Sequence, residues 1–234
     1  MAKIIDNFID RHIGQVMLDE ALKRDAEHKS SGKLSASMLN DPLQWQVLKV
    51  LGVEKEPLDE YAVRKFHRGR DIEAWVLKFF GNDSNQGFVE YRGVVGLVDA
   101  MADTSSWDFP HGIVPVEVKS VANAKFKRIE KQGPDKGHIL QAVLYGLAKG
   151  TEWVAVLYVA SDDLRVLTYW IKVEDYKDEV DTIITDFDNA MKSGVIPVFV
   201  PRETWQGNPK YNKYVKWADM TEKELLEKSK ELFR

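Results

Sequence analysis

The segment from Val114 to Lys119 constrains the fold more strongly than any other part of this sequence. Its valines alternate with Pro115, Glu117 and Lys119. Alternate side chains of a β-strand point to opposite faces of the sheet, so the valines share one face and the polar side chains share the other. We expect the valine face to pack against helices and the polar face to be turned toward a cleft or solvent.

A second apolar run, residues 94–100, carries Asp99 near its end and also predicts a strand. A hairpin across the polar residues 103–112 would place Asp99 beside Glu117. Neighbouring carboxylates repel each other unless a cation lies between them, and hard oxygen ligands with open water positions suit Mg²⁺. The pattern therefore predicts a magnesium site beside Lys119, of the kind that hydrolyses phosphodiesters. A Glu-x-Lys triplet alone is more often a solvated strand edge.

Residues 138–149 form an apolar helical pattern that ends before Gly150. Gln141 and Tyr145 are four residues apart, so they lie on one face of this helix. Both side chains can donate hydrogen bonds to a phosphate or a metal-bound water. The alternative interpretation is that Tyr145 is a core aromatic residue with a satisfied hydroxyl.

These motifs together resemble the PD-(D/E)XK nucleases of the RecB type, which include CRISPR-associated RecB-like exonucleases and phage relatives. The resemblance covers residues 61–201 and rests on Gly-Leu-Val-Asp ending at Asp99, Val-Glu-Val-Lys ending at Lys119, and Gln-x-x-x-Tyr from Gln141 to Tyr145. It implies an α/β fold with a restriction-endonuclease-like mixed sheet core flanked by helices, to which this chain adds N-terminal helices.

The resemblance also implies roles for individual residues. Mg²⁺, for which Mn²⁺ can substitute, would be held by Asp99, Glu117 and the Val118 carbonyl. Lys119 would orient or deprotonate the attacking water. Gln141 and Tyr145 would hold the phosphate or the strand in line. The catalytic set is then Asp99, Glu117, Lys119, Gln141 and Tyr145.

An upstream segment, residues 68–73, is similar to the first helical motif of that family. There a glycine is followed four residues later by a metal-binding histidine or glutamate, which correspond here to Gly69 and Glu73. Glu73 is thus a further predicted metal ligand. The alternatives are a surface glutamate on an amphipathic helix, or His67 in the same role.

Relatives of this type often end in cysteines that hold an iron-sulfur centre, whereas this chain has 0 Cys and can hold no such cluster. Its tail has a similar layout with lysines, tyrosines and Trp217 instead. We expect Trp217 to pack against the core. Lys210 and Lys213 fit packing and nucleic-acid contact equally well.

Length and composition predict one domain over residues 1–234, and the resemblance implies that it is a nuclease domain. We divide it into a helical N-terminal region (1–56), a core (57–200) and a C-terminal extension (201–234). The expected core order is a helix, three strands, a helix and two strands. Helices are predicted at 4–27, 58–80 and 174–192, and a further one begins at Ser35 or Ser37 and stops at Gly52. The last two strands are predicted at 153–160 and 165–173.

The net charge of -4 argues against a general nucleic-acid coat protein, but an enzyme needs only a local basic patch. One such patch follows the lysine motif in a segment with Gly133 and Pro134, which we predict to be a loop. It is either a solvated loop or a substrate clamp over the cleft, and its position favours the clamp. Its residues are Lys125, Lys127, Arg128, Lys131 and Lys136.

The sequence thus predicts a metal-dependent DNA nuclease, an exonuclease acting on single-stranded or end-containing DNA in recombination, repair or phage DNA processing. Without cysteine or a long apolar run, a cytoplasmic location is expected. A homo-oligomer or a larger DNA-processing complex is compatible with this function. One alternative is a nucleic-acid-binding component of a complex with an idle nuclease site. The other is a structural domain with a coincidental motif set.

Overall fold

The computed structural model describes residues 8–27, 32–57, 59–80, 87–106 and 112–233. Its helices are α1 (Phe8–Glu27), α2 (Leu43–Val50), α3 (Glu60–Leu77), α4 (Asn123–Gln132), α5 (Lys136–Lys149), α6 (Glu174–Ser193), α7 (Val215–Ala218) and α8 (Glu222–Leu232). Its strands are β1 (Gly87–Tyr91), β2 (Val94–Val98), β3 (Ala100–Asp103), β4 (Ile113–Val121), β5 (Trp153–Ala160) and β6 (Val166–Lys172). No helix within these ranges is both long and apolar enough to cross a membrane.

The central sheet has the strand order β3-β4-β5-β6 and is mixed. β3 pairs antiparallel with β4, β4 parallel with β5, and β5 antiparallel with β6. The parallel pair needs a crossover, which α4 and α5 provide. The expected mixed sheet flanked by helices is therefore confirmed.

The apolar run 94–100 is two strands rather than the one we predicted. β2 ends at Val98 and pairs with β1 in a separate two-stranded sheet, whereas β3 begins at Ala100 and pairs with β4. Asp99 lies at the break, because the chain leaves one sheet and enters the other there. The predicted order of three strands before the crossover is thus wrong, since four strands in two sheets occupy this part of the chain.

Helices cover both faces of the central sheet. The valine face of β4 packs against Ile72 and Val76 of α3, as expected. Full burial of one such valine contributes about 1.5–3 kcal/mol relative to exposure. The opposite face packs against α5, which lies very close to the sheet because Gly146 has no side chain. A Cβ atom there would lie 2.5 Å from a methyl group of Val173 and 2.7 Å from one of Val154.

The basic segment predicted to be a loop is helix α4. Phe126 and Ile129 are three residues apart and both are buried, so the segment has an apolar face that packs on the core. Gly133, at φ 90°, ends the helix, and Pro134 follows it. Glycine and proline therefore mark the end of a helix here rather than a whole loop.

The N-terminal region differs in detail from the prediction. A short 3-10 turn, Ala36–Met38, is followed by Pro42 and then α2, because proline has no N–H to continue the preceding turn. Helix α1 begins at Phe8, and the rest of the predicted helix, residues 4–7, lies outside the described residues.

The C-terminal extension and the end of the preceding core pack against this N-terminal region. The fully buried Trp45 stacks on Phe199 with ring centroids 5.9 Å apart, and Trp217 packs against the main core as expected. Lys213 also has a packing role, because it forms an ion pair of 2.7 Å with Asp41 and lies 5.1 Å from the Trp45 ring centroid.

Candidate active site

The register of β3 and β4 brings two carboxyl groups together. Ala100 lies opposite Val116, so the preceding residue, Asp99, lies opposite Glu117. The side chain of Asp99 takes the place of a strand-strand hydrogen bond: its Oδ2 accepts the main-chain N–H of Val118 at 2.8 Å. The break between β2 and β3 thus turns Asp99 toward β4 and places its carboxylate against that of Glu117.

Glu117 is fully buried, and not turned toward an open cleft or solvent as the strand pattern predicted. The reason is that α5 covers this face of β4. The carboxylate forms an ion pair with Lys119 and lies next to Asp99 and Tyr145. Neither carboxylate oxygen has a hydrogen bond of regular geometry within the described part of the chain. Such a group is costly to keep ionised unless a cation compensates it.

Burial raises the pKa of Glu117 to about 8, the nearby Lys119 opposes this shift, and the negative charge of Asp99 adds to it. Burial also raises the pKa of Asp99, against the hydrogen bond from Val118 and the charge of Lys119. Without a bound cation, the two carboxyl groups therefore release their protons at higher pH than isolated carboxyl groups do.

Lys119 lies at the entrance to this buried pair. Its side chain is 29% exposed, whereas that of Glu117 is 0% exposed. Burial lowers the pKa of Lys119, but the charges of Glu117, Asp99 and Glu73 outweigh it and raise the pKa above its ordinary value. Lys119 is therefore a charged ammonium group that faces both the carboxylates and the outside.

Gln141 and Tyr145 lie on one face of α5, as their spacing indicates. Gln141 Nε2 donates a hydrogen bond of 2.7 Å to the hydroxyl of Tyr145. The Tyr145 ring packs against Gly96 of β2, where a Cβ atom would lie only 2.6 Å from it. Burial, followed by the charge of Glu117, raises the pKa of Tyr145 well above its usual range. Tyr145 is thus a protonated core aromatic residue beneath the carboxylates, and Gln141 is the member of the pair that reaches an open pocket.

Glu73 lies on α3, close enough to Lys119 to raise its pKa. Within the described ranges, however, no three side chains of His, Cys, Asp or Glu converge as a metal site, so Glu73 does not complete a triad with Asp99 and Glu117. The alternative candidate, His67, contacts the neighbouring helix α1. Its Nε2 lies 3.9 Å from a carboxylate oxygen of Glu20.

The five basic residues fall into two groups. Lys125 and Arg128 both form ion pairs with Asp135, and Lys136 pairs with Glu179. Lys127 and Lys131 are exposed and four residues apart, so they share one face of α4. Of the five basic residues, Lys127 and Lys131 are thus the two that take part in none of these three ion pairs and present their charge to solvent.

One pocket beside the carboxylates was not predicted from the sequence. It has a volume of about 420 Å³ and lies between the start of α5, α4 and the C-terminal extension. His138 lines it, one turn before Gln141, and this spacing was the signal in the sequence that could have revealed it. Its Nδ1 lies 2.8 Å from the Tyr158 hydroxyl. Burial, followed by the charges of Lys119 and Lys125, lowers the pKa of His138 to about 3.

No protein-family model and no curated protein matches this sequence. Solved structures do share its fold. LHK-Exo in complex with dAMP superimposes with a TM-score of 0.53 at 16% identity, covering 69% of this chain and 89% of that chain. The alkaline exonuclease LHK-Exo from Laribacter hongkongensis gives 0.50 at 18% identity over the same shares. SSO0001 gives 0.57 at 16% identity, covering 89% of this chain and 98% of that chain.

At these identities the likeness concerns the fold. The described residues therefore form the mixed α/β fold, with a mixed sheet flanked by helices, that is also found in alkaline exonucleases.

Proposed function

We propose that this chain is a metal-dependent DNA nuclease of the RecB-like PD-(D/E)XK type, an exonuclease acting on single-stranded or end-containing DNA. The observation that supports this most directly is the contact between Asp99, Glu117 and Lys119 at the junction of β3 and β4. The likeness of the fold to the alkaline exonuclease LHK-Exo, one structure of which contains dAMP, supports DNA as the substrate. The absence of cysteine is consistent with a cytoplasmic location, which is also part of the proposal.

The residues fit a magnesium ion. Asp99 and Glu117 offer hard carboxylate oxygens, and those of Glu117 are buried without a regular hydrogen bond among the described residues. Mg²⁺ typically keeps several waters and needs only one or two protein carboxylates, so a triad of acidic side chains is not required. Asp99, Glu117 and the Val118 carbonyl would hold the ion, with Glu73 nearby. A divalent ion there would polarise the scissile phosphate and lower the pKa of a bound water.

Each side chain then has a defined task. Glu117 must lose its proton before its oxygens can bind a cation, and the main-chain N–H of Val118 holds Asp99 in place. Lys119 is charged, so it would orient the attacking water and offset the negative charge that develops on the phosphate. Gln141 contacts the phosphate or the strand, and Tyr145 holds Gln141 in place through their hydrogen bond.

Digestion of end-labelled linear, circular and single-stranded DNA tests this proposal. We expect the purified protein to degrade linear and single-stranded DNA with Mg²⁺ or Mn²⁺ and to stop with EDTA. Lys119→Ala should lower the rate about 100-fold to 1000-fold, as losses of preorganised electrostatic groups do. Lys172→Ala, on β6 of the same sheet, is the matched control and should remain active. DNA binding without cleavage under every metal condition would instead favour a binding component with an idle site.

A further inference from the structure

The pocket beside the carboxylates has a composition that suits a flat, neutral, polar ring. Its volume is about 420 Å³. The wall contains amide side chains, an imidazole and an exposed indole, provided by Asn40, His138, Gln141, Trp205 and Gln206. The pocket is also lined by two cations, Lys125 and Arg128, which are already paired with Asp135 and so do not make it a strong anion site. Of its two other carboxylates, Asp41 is paired with Lys213 and Glu203 accepts hydrogen bonds from neighbouring side chains.

Trp205 is held in place although its ring is 45% exposed. Its Nε1 donates a hydrogen bond of 2.7 Å to Glu203. Its ring forms a T-shaped contact with the fully buried Trp45, with centroids 6.4 Å apart and an interplanar angle of 62°. Glu203 accepts a further hydrogen bond from Asn40, which anchors it to the N-terminal region. An exposed aromatic face that is already oriented needs little ordering to stack on a ligand.

His138 offers an oriented imidazole at the same place. The main-chain N–H of Asp135 donates to the Tyr158 hydroxyl at 3.1 Å, and that hydroxyl lies 2.8 Å from Nδ1 of His138. These contacts hold the imidazole ring in the wall of the pocket, where its nitrogens can donate or accept a hydrogen bond. Together with the amides of Asn40 and Gln141, this gives mixed donors and acceptors, which match the edge of a nucleobase better than a phosphate.

The pocket is also connected to the carboxylates. Gln141 lines it and donates to the hydroxyl of Tyr145, and the charge of Glu117 acts on that same hydroxyl. His138 is close enough to Lys119 for the ammonium to lower its pKa. A ligand that contacts Gln141 in this pocket is therefore linked to Glu117 through Tyr145.

We propose that this pocket binds the base of the nucleotide at the DNA end, stacked on Trp205, next to the phosphodiester to be cleaved. The proposal rests on the proposed function, but it concerns recognition of the base rather than hydrolysis. It predicts that the protein distinguishes an end that carries a base from an abasic end.

The test uses oligonucleotides that carry 2-aminopurine as the base at one end or the other, with the full chain in EDTA. We expect stacking on Trp205 to quench the fluorescence of 2-aminopurine at one of the two ends. Trp205→Leu should abolish the quenching, whereas Trp205→Phe, which keeps an aromatic face, should retain most of it. Tyr211→Leu, an exposed aromatic residue of the same extension, is the matched control and should leave it unchanged.

A second measurement needs no substitution. We expect the wild-type protein to bind an oligonucleotide with an abasic end roughly tenfold more weakly than the intact one, as loss of one stacked base predicts. Equal affinities, or quenching that persists in Trp205→Leu, would overturn the pocket assignment. Neither assay involves cleavage, so base binding by a protein that never cleaves would contradict the proposed function alone. Cleavage with no dependence on the terminal base would contradict only the pocket.

Discussion

Asp99 Oδ2 accepts a hydrogen bond of 2.8 Å from the main-chain N–H of Val118 in β4. This side chain therefore satisfies a main-chain donor of β4 just beyond the end of β3. This hydrogen bond both joins β3 to β4 and directs the carboxylate toward Glu117. One residue therefore serves the sheet and the proposed active site. Substitutions at Asp99 should affect stability and activity together.

Asp99→Ala should lower the cleavage rate about 100-fold to 1000-fold, because the proposed metal site loses a ligand. It should also reduce the free energy of unfolding by about 1–3 kcal/mol, because the Val118 N–H loses its partner. Single-turnover digestion and urea denaturation measure the two effects. Asp103→Ala, on the same strand, is the control, since Asp103 bonds only to the neighbouring Ser105 in the described structure. Full activity in Asp99→Ala would show that the site is misplaced.

Stability without metal should fall as the pH rises from 6.5 to 8.5. Burial raises the pKa of Glu117 to about 8 in the folded state from its ordinary value of 4.5, so between pH 4.5 and 8 the folded protein binds more protons than the unfolded chain. The free energy of unfolding therefore decreases as the pH rises toward 8. The depressed pKa of His138 acts with the opposite sign, and only below the ordinary histidine pKa of 6.5.

Urea denaturation in EDTA across this pH range measures the decrease. Glu117→Gln removes the titrating group, so the slope with pH should become flatter than in the wild type. Adding Mg²⁺ should stabilise the wild type most at the upper end of the range, because the ion binds the deprotonated form. Parallel slopes in the two proteins would argue against a protonated Glu117.

Gly96→Ala should displace Tyr145. The new Cβ atom would lie 2.6 Å from the ring and 3.2 Å from the Cβ of Ala36, in a packed region without room to relax. We expect a destabilisation of about 1–3 kcal/mol and a loss of activity, because Gln141 depends on Tyr145 for its position. Thermal denaturation and digestion assays measure both.

The control for this substitution is Gly69→Ala in α3. There the nearest atom, Ser120 Oγ, would be 3.4 Å from the new Cβ. Alanine at a helix position with ordinary contacts should be stabilising by roughly 0.5–1 kcal/mol relative to glycine. A similar effect of both substitutions would mean that the close approach at Gly96 does not position Tyr145.

The exposed lysines of α4 should contribute to DNA binding through charge. Replacing both Lys127 and Lys131 by alanine should weaken binding and reduce the dependence of log affinity on log salt by about 1–2, since each phosphate contact releases roughly one counterion. Titration by fluorescence anisotropy at several salt concentrations measures the slope. The double substitution Lys223→Ala and Lys230→Ala, on the exposed surface of α8, should leave the slope unchanged. An equal effect of both pairs would indicate binding without a preferred face.

The local patterns of the sequence determined most of the central architecture. The alternation along β4 identified Glu117 and Lys119 as neighbours on one face of that strand. The helical spacing of α5 placed Gln141 and Tyr145 together on one face of that helix. These features depend on the period of a strand or helix, which can be read from a single segment. They were sufficient to indicate an α/β chain and the members of the candidate site, whereas the mixed sheet was expected from the resemblance to a nuclease family.

Other features were decided only by the tertiary structure. The break at Asp99, the burial of Glu117 beneath α5 and the pocket beside Trp205 all arise from contacts between segments that are far apart in the sequence. The charged residues of α4 predicted a loop, whereas the burial of Phe126 and Ile129 against the core makes this segment a helix. Local periodicity states which face of an element is apolar, but only packing determines what covers that face, and hence the pKa of each carboxylate and the shape of the pocket.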